Sequence, residues 1–188
     1  MSPDKSLSQY VKKYNVLSNS DCDLIIRETE NSVWNKHTWT DYTGSVVASA
    51  NPQTEFLRTG VTSEVQTLLN GYMNKTVASY LSDIGNPDVW FQGFSHVVVN
   101  KYPTNTMMLP HSDHIKSLYV GEYRGIPALT ILGSLNDNYE GGEFYLWDDY
   151  VIPLAKGDVI IFPSLFLYPH GVKLVTKDIR YTFVSWLS

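Results

Sequence analysis

The pattern of apolar residues predicts two helices in the amino-terminal half. The first covers about residues 19–32 and begins with Ser18-Asn-Ser-Asp21, a sequence typical of a helix start, which the apolar residues from Cys22 onward continue. The second carries apolar residues at three- and four-residue spacing, the period of an amphipathic helix. It begins near Thr62 and ends at Gly85-Asn86-Pro87. Its single apolar stripe predicts a helix that braces a sheet.

The remaining pattern is typical of strands. A short strand is predicted around 14–17, and residues 33–60 are predicted to form short strands and loops. After Pro87, short β-branched and aromatic runs alternate with turns, which indicates strands. These runs cover residues 94–102, 128–135, 142–147, 159–162, 171–175 and 181–187. Helices followed by many short strands predict one α+β domain over 1–188, with a sandwich or jelly-roll β part.

Composition narrows the class of protein. The chain has 188 residues, a net charge of −5 and one cysteine, Cys22. The acidic balance argues against a protein that binds nucleic-acid phosphates, and a single cysteine permits no internal disulfide. The sequence contains no apolar run long enough to span a membrane, and its first residues lack the apolar stretch of a signal peptide. We therefore expect a soluble, cytoplasmic domain without a membrane partner.

The residues with the clearest chemical potential are His111 and Asp113. Side chains two positions apart on an extended chain point the same way, so an imidazole and a carboxylate would face one metal ion. A third ligand must come from elsewhere, and His170 is the best candidate. Two histidines and one carboxylate form the facial triad of non-haem iron(II) oxygenases.

The order of motifs around this triad resembles that of the Fe(II)- and 2-oxoglutarate-dependent dioxygenases, in their prolyl-4-hydroxylase-like branch. The resemblance covers about 94–187, together with the entry helix after Leu17. The matching segments are Tyr102-Pro103, 129–137, Tyr139-Glu-Gly-Gly-Glu143, 156–163, His170, Arg180-Tyr181 and Trp186. It implies a double-stranded β-helix (jelly-roll or cupin-like) core, with Fe(II), 2-oxoglutarate and O2 as cofactor and co-substrates and ascorbate as an optional supporting reductant.

Arg180 is the predicted co-substrate residue. If the face of its strand that carries Arg180, Thr182 and Trp186 lines the barrel, the guanidinium needs a partner, because an unpaired buried charge is costly. The distal carboxylate of 2-oxoglutarate supplies that partner, and the family carries a basic residue at this place. An ion pair of Arg180 with Asp178 at the surface is the alternative.

Five further residues are predicted to line the same pocket. Tyr102 resembles a family tyrosine that touches the co-substrate, and Thr182 offers a hydroxyl to the same carboxylate. Thr130, Leu132 and Ser134 alternate on one face of the next strand. Some relatives carry tyrosine where Ser134 stands, so its contact would be shorter or bridged by water.

The other histidines are predicted to lie outside the metal site. His114 follows Asp113 directly and would point away from the metal. His96 is placed inside a strand and His37 in a loop, each structural or exposed. Substrate is expected to enter past the loop 115–127. The segment 33–60, with Trp34, Trp39, Tyr42 and Arg58, is predicted to form a lid, and the loop and the lid together are predicted to hold the substrate.

The resemblance implies an oxygenase that hydroxylates a C–H bond, with a prolyl residue in a peptide or protein as the leading substrate. A free amino acid or small metabolite is the alternative. Nucleic-acid demethylases of the same superfamily carry a second arginine six residues after the first, where this chain has Trp186. A non-catalytic, cupin-like metal-binding module is the remaining alternative, but such a module has no need of an inward arginine.

Overall fold

A computed structural model of the protein describes residues 6–40, 45–47, 51–113 and 127–188. Its two α-helices are α1 (Asn19–Glu30) and α2 (Ser63–Asp83), and two short 3-10 helices cover Leu7–Tyr10 and Pro52–Thr54. None of the helices in these ranges is both long and apolar enough to cross a membrane. The predicted loop 115–127, apart from Pro127, lies outside the described residues, and so do His114 and Tyr42.

Both helices begin and end where the sequence indicated. The hydroxyl oxygen of Ser18 accepts a hydrogen bond from the Asp21 backbone N–H at 3.1 Å and caps α1. Thr62 caps α2 in the same way through the N–H of Val65. Gly85 follows α2 with φ of +76°, a left-handed conformation that favours glycine and turns the chain out of the helix.

Fifteen strands are found in the described residues, and all their pairings are antiparallel. The strands are β1 (Lys12–Asn15), β2 (Asn35–Lys36), β3 (Trp39–Thr40), β4 (Val46–Val47), β5 (Leu57–Gly60), β6 (Val98–Tyr102), β7 (Met108–His111), β8 (Leu129–Ser134), β9 (Glu140–Gly141), β10 (Phe144–Leu146), β11 (Tyr150–Ile152), β12 (Asp158–Pro163), β13 (His170–Val172), β14 (Val175–Lys177) and β15 (Arg180–Leu187).

The strands form a major sheet and a minor sheet. The major sheet has seven strands in the order β1-β12-β8-β15-β6-β5-β2, and the minor sheet has four in the order β11-β10-β13-β7. Two further pairs, β14 with β9 and β3 with β4, complete the pairing. This antiparallel arrangement with two helices agrees with the predicted α+β class and is consistent with a jelly roll.

Two hydrophobic cores lie on opposite faces of the major sheet, because successive side chains of a strand point to opposite faces. One core packs both helices against the sheet and contains Cys22, Leu69, Ile131 and Phe183. The other contains Tyr102, Leu132 and Phe162 of the major sheet with Phe144 and Val172 of the minor sheet, so it lies between the two sheets. The predicted role of the second helix as a brace is confirmed.

Segment 33–60 differs from the lid that the sequence indicated. Residues 35–36 pair with 57–58, and β5 in turn pairs with β6, so part of this segment extends the edge of the major sheet. The predicted strand 94–102 begins only at Val98, and His96 precedes it as an exposed residue. The sequence pattern also missed β11 as a separate strand, because Tyr150–Ile152 is too short to show an alternation.

Candidate metal and co-substrate site

His111 and His170 face each other across the minor sheet. They are direct Cα partners at the end of β7 and the start of β13, and their ring centroids are 4.4 Å apart. Asp113 follows two residues after His111, as the extended spacing predicted. One potential ligand atom from each of the three residues lies within 4.8 Å of the other two, close enough to share one ion.

The carboxylate of Asp113 lies between the two imidazoles. Its Oδ1 is 3.5 Å from Nε2 of His111, and its Oδ2 is 3.7 Å from Nε2 of His170. The side chains of Asp113 and His170 are nearly inaccessible, whereas that of His111 is 23% exposed. The site is therefore buried but open on the His111 side.

Backbone carbonyls fix the tautomer of both histidines. Nδ1 of His111 lies 3.0 Å from the carbonyl oxygen of Leu109, and Nδ1 of His170 lies 3.1 Å from that of Tyr168. A carbonyl only accepts, so each bond requires a proton on Nδ1, and Nε2 of the neutral ring then carries no proton. This is the tautomer that a metal site with Nε2 ligands needs.

Burial keeps the site in the protonation states that bind a metal. Desolvation lowers the pKa of His170 to about 4, although the charge of Asp113 opposes this, so the ring is neutral near pH 7. Burial alone would raise the pKa of Asp113, but contact with His111 and the charge of His170 outweigh it and lower the pKa below its ordinary value. Asp113 therefore carries its charge.

A hydroxyl group of the major sheet holds Asp113. Thr130 donates a hydrogen bond of 2.7 Å to its Oδ2. Since the single proton of Thr130 is used in this way, Ser164, at 2.6 Å, donates to Thr130. Thr130, predicted as a wall residue of the co-substrate pocket, thus also orients a metal ligand. Nothing in the sequence singled out Ser164.

A cavity of about 160 Å³ lies between the two sheets beside the His-Asp-His cluster. Of the residues predicted for the co-substrate pocket, Tyr102, Thr130 and Leu132 line it. The other three predicted pocket residues, Arg180, Thr182 and Ser134, are buried but do not line the cavity that the described residues form. Ser134 instead donates to the backbone oxygen of Asn136 at 3.0 Å.

Arg180 is an unpaired buried cation. Its side chain points between the sheets, as the alternation along β15 predicted, and only 1% of the residue is exposed. Within the described parts of the chain, none of its three guanidinium nitrogens meets a hydrogen-bond partner. The predicted alternative, an ion pair with Asp178, is therefore not formed. Because an unpaired buried charge is costly, the position fits a residue that awaits an anionic ligand.

The surroundings of Arg180 fit a carboxylate. The guanidinium carbon lies 5.2 Å from the ring centroid of Tyr102, its direct neighbour on β6. Burial raises the pKa of Tyr102 to about 12, against the opposing charges of Arg180 and Arg58, so the phenol keeps its proton and can donate it. Thr182 Oγ1, two positions along the same face, is buried and has no partner among the described residues. These donors suit a carboxylate.

Gly142 gives the Arg180 side chain its space. Its φ is +66°, and a Cβ at this position would lie 3.0 Å from Cδ of Arg180 and 2.9 Å from Cγ2 of Val175. The Glu140-Gly141-Gly142 turn, which the sequence marked only as a break between strands, therefore also shapes the pocket.

The sequence did not assign to the site three polar or charged residues that line the cavity in the structure. Arg58 comes from β5, His37 is the residue after the edge strand β2, and Asn100 comes from β6. His37 was predicted to be structural or exposed, and Arg58 was counted with the lid. Since both strands are short, the strand period gave no signal that these side chains turn inward.

Comparison with known proteins identifies the class to which this site belongs. The sequence model of the 2OG-Fe(II) oxygenase superfamily matches residues 97–188, which include the His-Asp-His cluster and Arg180. The matched segment is thus similar to the superfamily that the sequence resemblance predicted. The cofactor and co-substrates of the family are iron(II), 2-oxoglutarate and O2.

Particular relatives are similar to parts of the chain or to its fold. A PKHD-type hydroxylase of Saccharophagus degradans is 38% identical over 63 residues, which are 32% of this chain but only 27% of that protein. A prolyl hydroxylase of Trichoplax adhaerens was solved with a hypoxia-inducible-factor peptide. Its fold matches this one with a TM-score of 0.69 at 18% sequence identity, and the match covers 96% of this chain and 84% of the Trichoplax chain. The viral collagen prolyl hydroxylase of Paramecium Bursaria Chlorella virus-1, solved with 2-oxoglutarate, has a TM-score of 0.65 at 16% identity and covers 95% of each chain. At these identities the solved structures establish the similarity of fold.

Proposed function

We propose that the protein is an Fe(II)- and 2-oxoglutarate-dependent hydroxylase of the prolyl-hydroxylase type, acting on a C–H bond of a prolyl residue in a peptide or protein. The observation that carries this proposal is that two features occur together between the two sheets. One is the His-Asp-His cluster, and the other is the buried guanidinium of Arg180, which lies 5.2 Å from the ring of Tyr102 on the cavity wall. A metal-binding module without catalysis has a use for the first feature and none for the second.

The architecture supports the proposal. We assign the two facing sheets to a double-stranded β-helix and residues 1–188 to a single domain. The major sheet and the minor sheet enclose the cavity, and the helices cover only the outer face of the major sheet. This leaves the open end of the minor sheet, at His111, as the side from which substrate reaches the site.

The metal would be held by Nε2 of His111, Nε2 of His170 and the carboxylate of Asp113. These nitrogen and oxygen donors suit iron(II), and other divalent ions such as Mn, Ni or Zn compete for the same set. Together, iron and 2-oxoglutarate supply an oxidant that places one oxygen atom of O2 on a C–H bond and release succinate and CO2.

The protein's own residues would bind and orient the metal and the co-substrate and exclude water from them. The two carbonyl-bound imidazoles stay fixed in one tautomer, and Thr130 keeps the carboxylate turned toward them. Arg180, with the hydroxyls of Thr182 and Tyr102, would receive the distal carboxylate of 2-oxoglutarate. Aromatic rings shield the metal side, since Phe162 and Phe144 lie 4.9 and 5.7 Å from the His170 ring.

The position of Arg180 relative to the cavity differs from the sequence prediction, which put Arg180 on the wall of the co-substrate pocket. Among the described residues, Tyr102 lines the cavity and Arg180 does not, although the guanidinium carbon lies only 5.2 Å from the Tyr102 ring centroid. We expect the co-substrate to reach the guanidinium beside the Tyr102 ring. Tyr102 packs on Phe56 at a centroid distance of 4.4 Å, so the ring has a defined resting position.

Nucleic acid is the less favoured substrate. Trp186 stands six residues after Arg180, where the resemblance would imply a second arginine for a nucleic-acid demethylase of the superfamily, and Trp186 lines the cavity. The chain also carries a net charge of −5. A free amino acid or small metabolite remains the alternative substrate.

The test is a turnover screen that follows succinate release with Fe(II), 2-oxoglutarate and three probe classes: proline-containing peptides, free amino acids and nucleic acids. Mass spectrometry should find a gain of one oxygen on the proline of a peptide. Asp113→Ala should abolish turnover while circular dichroism shows an intact fold. A wild-type protein that binds iron but neither binds nor consumes 2-oxoglutarate would refute the proposal in favour of a metal-binding module.

A further inference from the structure

A second guanidinium, that of Arg58, lies on the wall of the cavity itself. It reaches this wall from β5, which is separated from the strand of Arg180 by β6. Arg58 is the direct partner of Asn100 on β6, and Asn100 is the direct partner of Thr182 on β15. The three side chains therefore share one row on the inner face of the major sheet.

The surroundings of Arg58 hold it in place. Its Nη1 lies 3.4 Å from Nδ1 of His37. The His37 ring stacks on Phe56 with centroids 4.5 Å apart, and Phe56 stacks on Tyr102. An aromatic stack thus flanks the guanidinium.

No acidic side chain in the described part of the chain forms an ion pair with Arg58, although other cations of the same structure are paired. Lys36 pairs with Glu55 at 2.6 Å, Lys101 with Glu30 at 3.4 Å, and Lys13 with Asp158 at 3.2 Å. Burial lowers the pKa of Arg58, and the carboxylate of Asp113 and the Tyr102 phenol oppose this only through space. A partly buried arginine remains charged, so its charge is available to a ligand.

Neighbouring groups extend the same polar surface. Asn100 is 4% exposed and lines the cavity, and its Oδ1 meets no hydrogen-bond partner among the described residues. A side-chain amide next to a guanidinium offers additional polar contacts to a bound carboxylate or amino group. Two adjacent strands therefore present a polar recognition surface on the wall opposite the minor sheet.

We propose that Arg58 binds a carboxylate of the primary substrate, next to the C–H bond that is hydroxylated, with Asn100 beside it. This inference rests on the proposed function and narrows its substrate class. Arg180 remains the partner of the co-substrate, so each of the two anions has its own guanidinium. The substrate carboxylate has two possible sources: an acidic side chain that flanks the target proline in a peptide, or the α-carboxylate of a free amino acid.

The experiment compares four probes with the iron-loaded full-length protein: free L-proline, L-prolinamide, a capped peptide with alanine on both sides of proline, and the same peptide with glutamate in place of each alanine. Turnover is measured as a one-oxygen gain by mass spectrometry. The variants are Arg58→Gln and Arg58→Lys. Lys36→Gln is the control, because it removes the same charge from the neighbouring strand β2, where the side chain is 65% exposed.

The four probes form two pairs: free L-proline with L-prolinamide, and the glutamate peptide with the alanine peptide. In at least one pair, the wild type should convert the probe with the carboxylate at least about tenfold more efficiently than the neutral probe, since hydrogen bonds between charged partners are the strong ones. Arg58→Gln should remove this preference, Arg58→Lys should keep part of it, and Lys36→Gln should keep all of it. Preference for free proline over prolinamide identifies the α-carboxylate, and preference for the glutamate peptide identifies a side chain.

Three results would overturn the inference. The first is the absence of any carboxylate preference in the wild type, including failure to convert all four probes. The second is a preference that survives in Arg58→Gln. The third is a loss of 2-oxoglutarate affinity in Arg58→Gln as large as in Arg180→Gln, which would assign Arg58 to the co-substrate. Failure of the proposed function itself looks different, because the wild type would then not bind 2-oxoglutarate at all.

Discussion

Thr130 of the major sheet donates a hydrogen bond of 2.7 Å to the Asp113 carboxylate, which follows a strand of the minor sheet. This bond joins the two sheets at the metal site. Asp113 lies outside regular secondary structure, two residues after β7, so the strand alone does not fix its side chain. The hydroxyl of Thr130, itself bonded to Ser164, supplies the missing restraint.

Thr130→Val should therefore weaken metal binding by about 10–100-fold, the usual cost of losing a partner that orients a metal ligand. Valine preserves the shape of threonine but cannot donate. Titration calorimetry with Mn(II) measures the change, and Thr130→Ser, which keeps the hydroxyl, is the matched control. Equal affinity in the valine and serine variants would mean that Asp113 is positioned without this bond.

Arg180 is expected to reduce stability in the absence of its ligand. Its three nitrogens are buried without partners among the described residues, so Arg180→Met should raise the free energy of unfolding of the ligand-free protein, by roughly 1–3 kcal/mol. The same variant should lose 2-oxoglutarate binding, because removing one side of a buried charged pair commonly costs ~3–5 kcal/mol.

Urea unfolding with and without 2-oxoglutarate tests both parts together. The wild type should gain stability from the ligand and Arg180→Met should not. If 2-oxoglutarate stabilises the variant as much as the wild type, Arg180 is not its partner.

The strand pattern of the sequence put Arg180 on one face of a strand with Thr182 and Trp186, because β15 runs over eight residues, long enough for the period to be read. The resemblance to the family indicated that this face points inward. The His111–Asp113 spacing could also be interpreted, since it describes a local extended geometry. These two inferences needed no knowledge of which strands are neighbours.

Arg58 and Ser164 could not be placed in this way. Arg58 faces the cavity only because β5 pairs with β6, and Ser164 meets Thr130 from 34 positions away. Such contacts depend on strand order and register, which a single sequence does not reveal. The expectation of a lid over 33–60 had the same origin: two-residue strands such as β2 carry no readable period.

Gly142→Ala should disturb the Arg180 pocket. The residue has φ of +66°, and an added Cβ would meet Arg180 Cδ at 3.0 Å, so both backbone strain and crowding oppose the change. We expect a loss of about 1–3 kcal/mol in stability and weaker 2-oxoglutarate binding. Gly93→Ala is the control, since an added Cβ there meets nothing within 4 Å. Similar melting temperatures for the two variants would contradict this account.

Acid should destabilise the metal-free protein, beginning below the ordinary pKa of histidine. Burial lowers the pKa of His170 from 6.5 to about 4, and burial together with the charge of Arg58 lowers that of His37 from 6.5 to about 4. Below pH 6.5 the unfolded chain takes up protons on these rings that the folded chain does not, so folding loses stability progressively down to about pH 4. Asp113, whose pKa is also lowered, adds a further loss below the ordinary pKa of a carboxyl group.

His37→Gln tests the sign of this dependence without touching a proposed metal ligand. The free energy of unfolding, measured by urea titration in the presence of a chelator, should fall less between pH 7 and pH 4 in the variant than in the wild type. By linkage the difference has an upper bound of ~3 kcal/mol, which solvent screening of the partly exposed ring reduces. A steeper fall in the variant would show that His37 is protonated in the folded state. In that case the ring would stand beside Arg58 as a second positive charge.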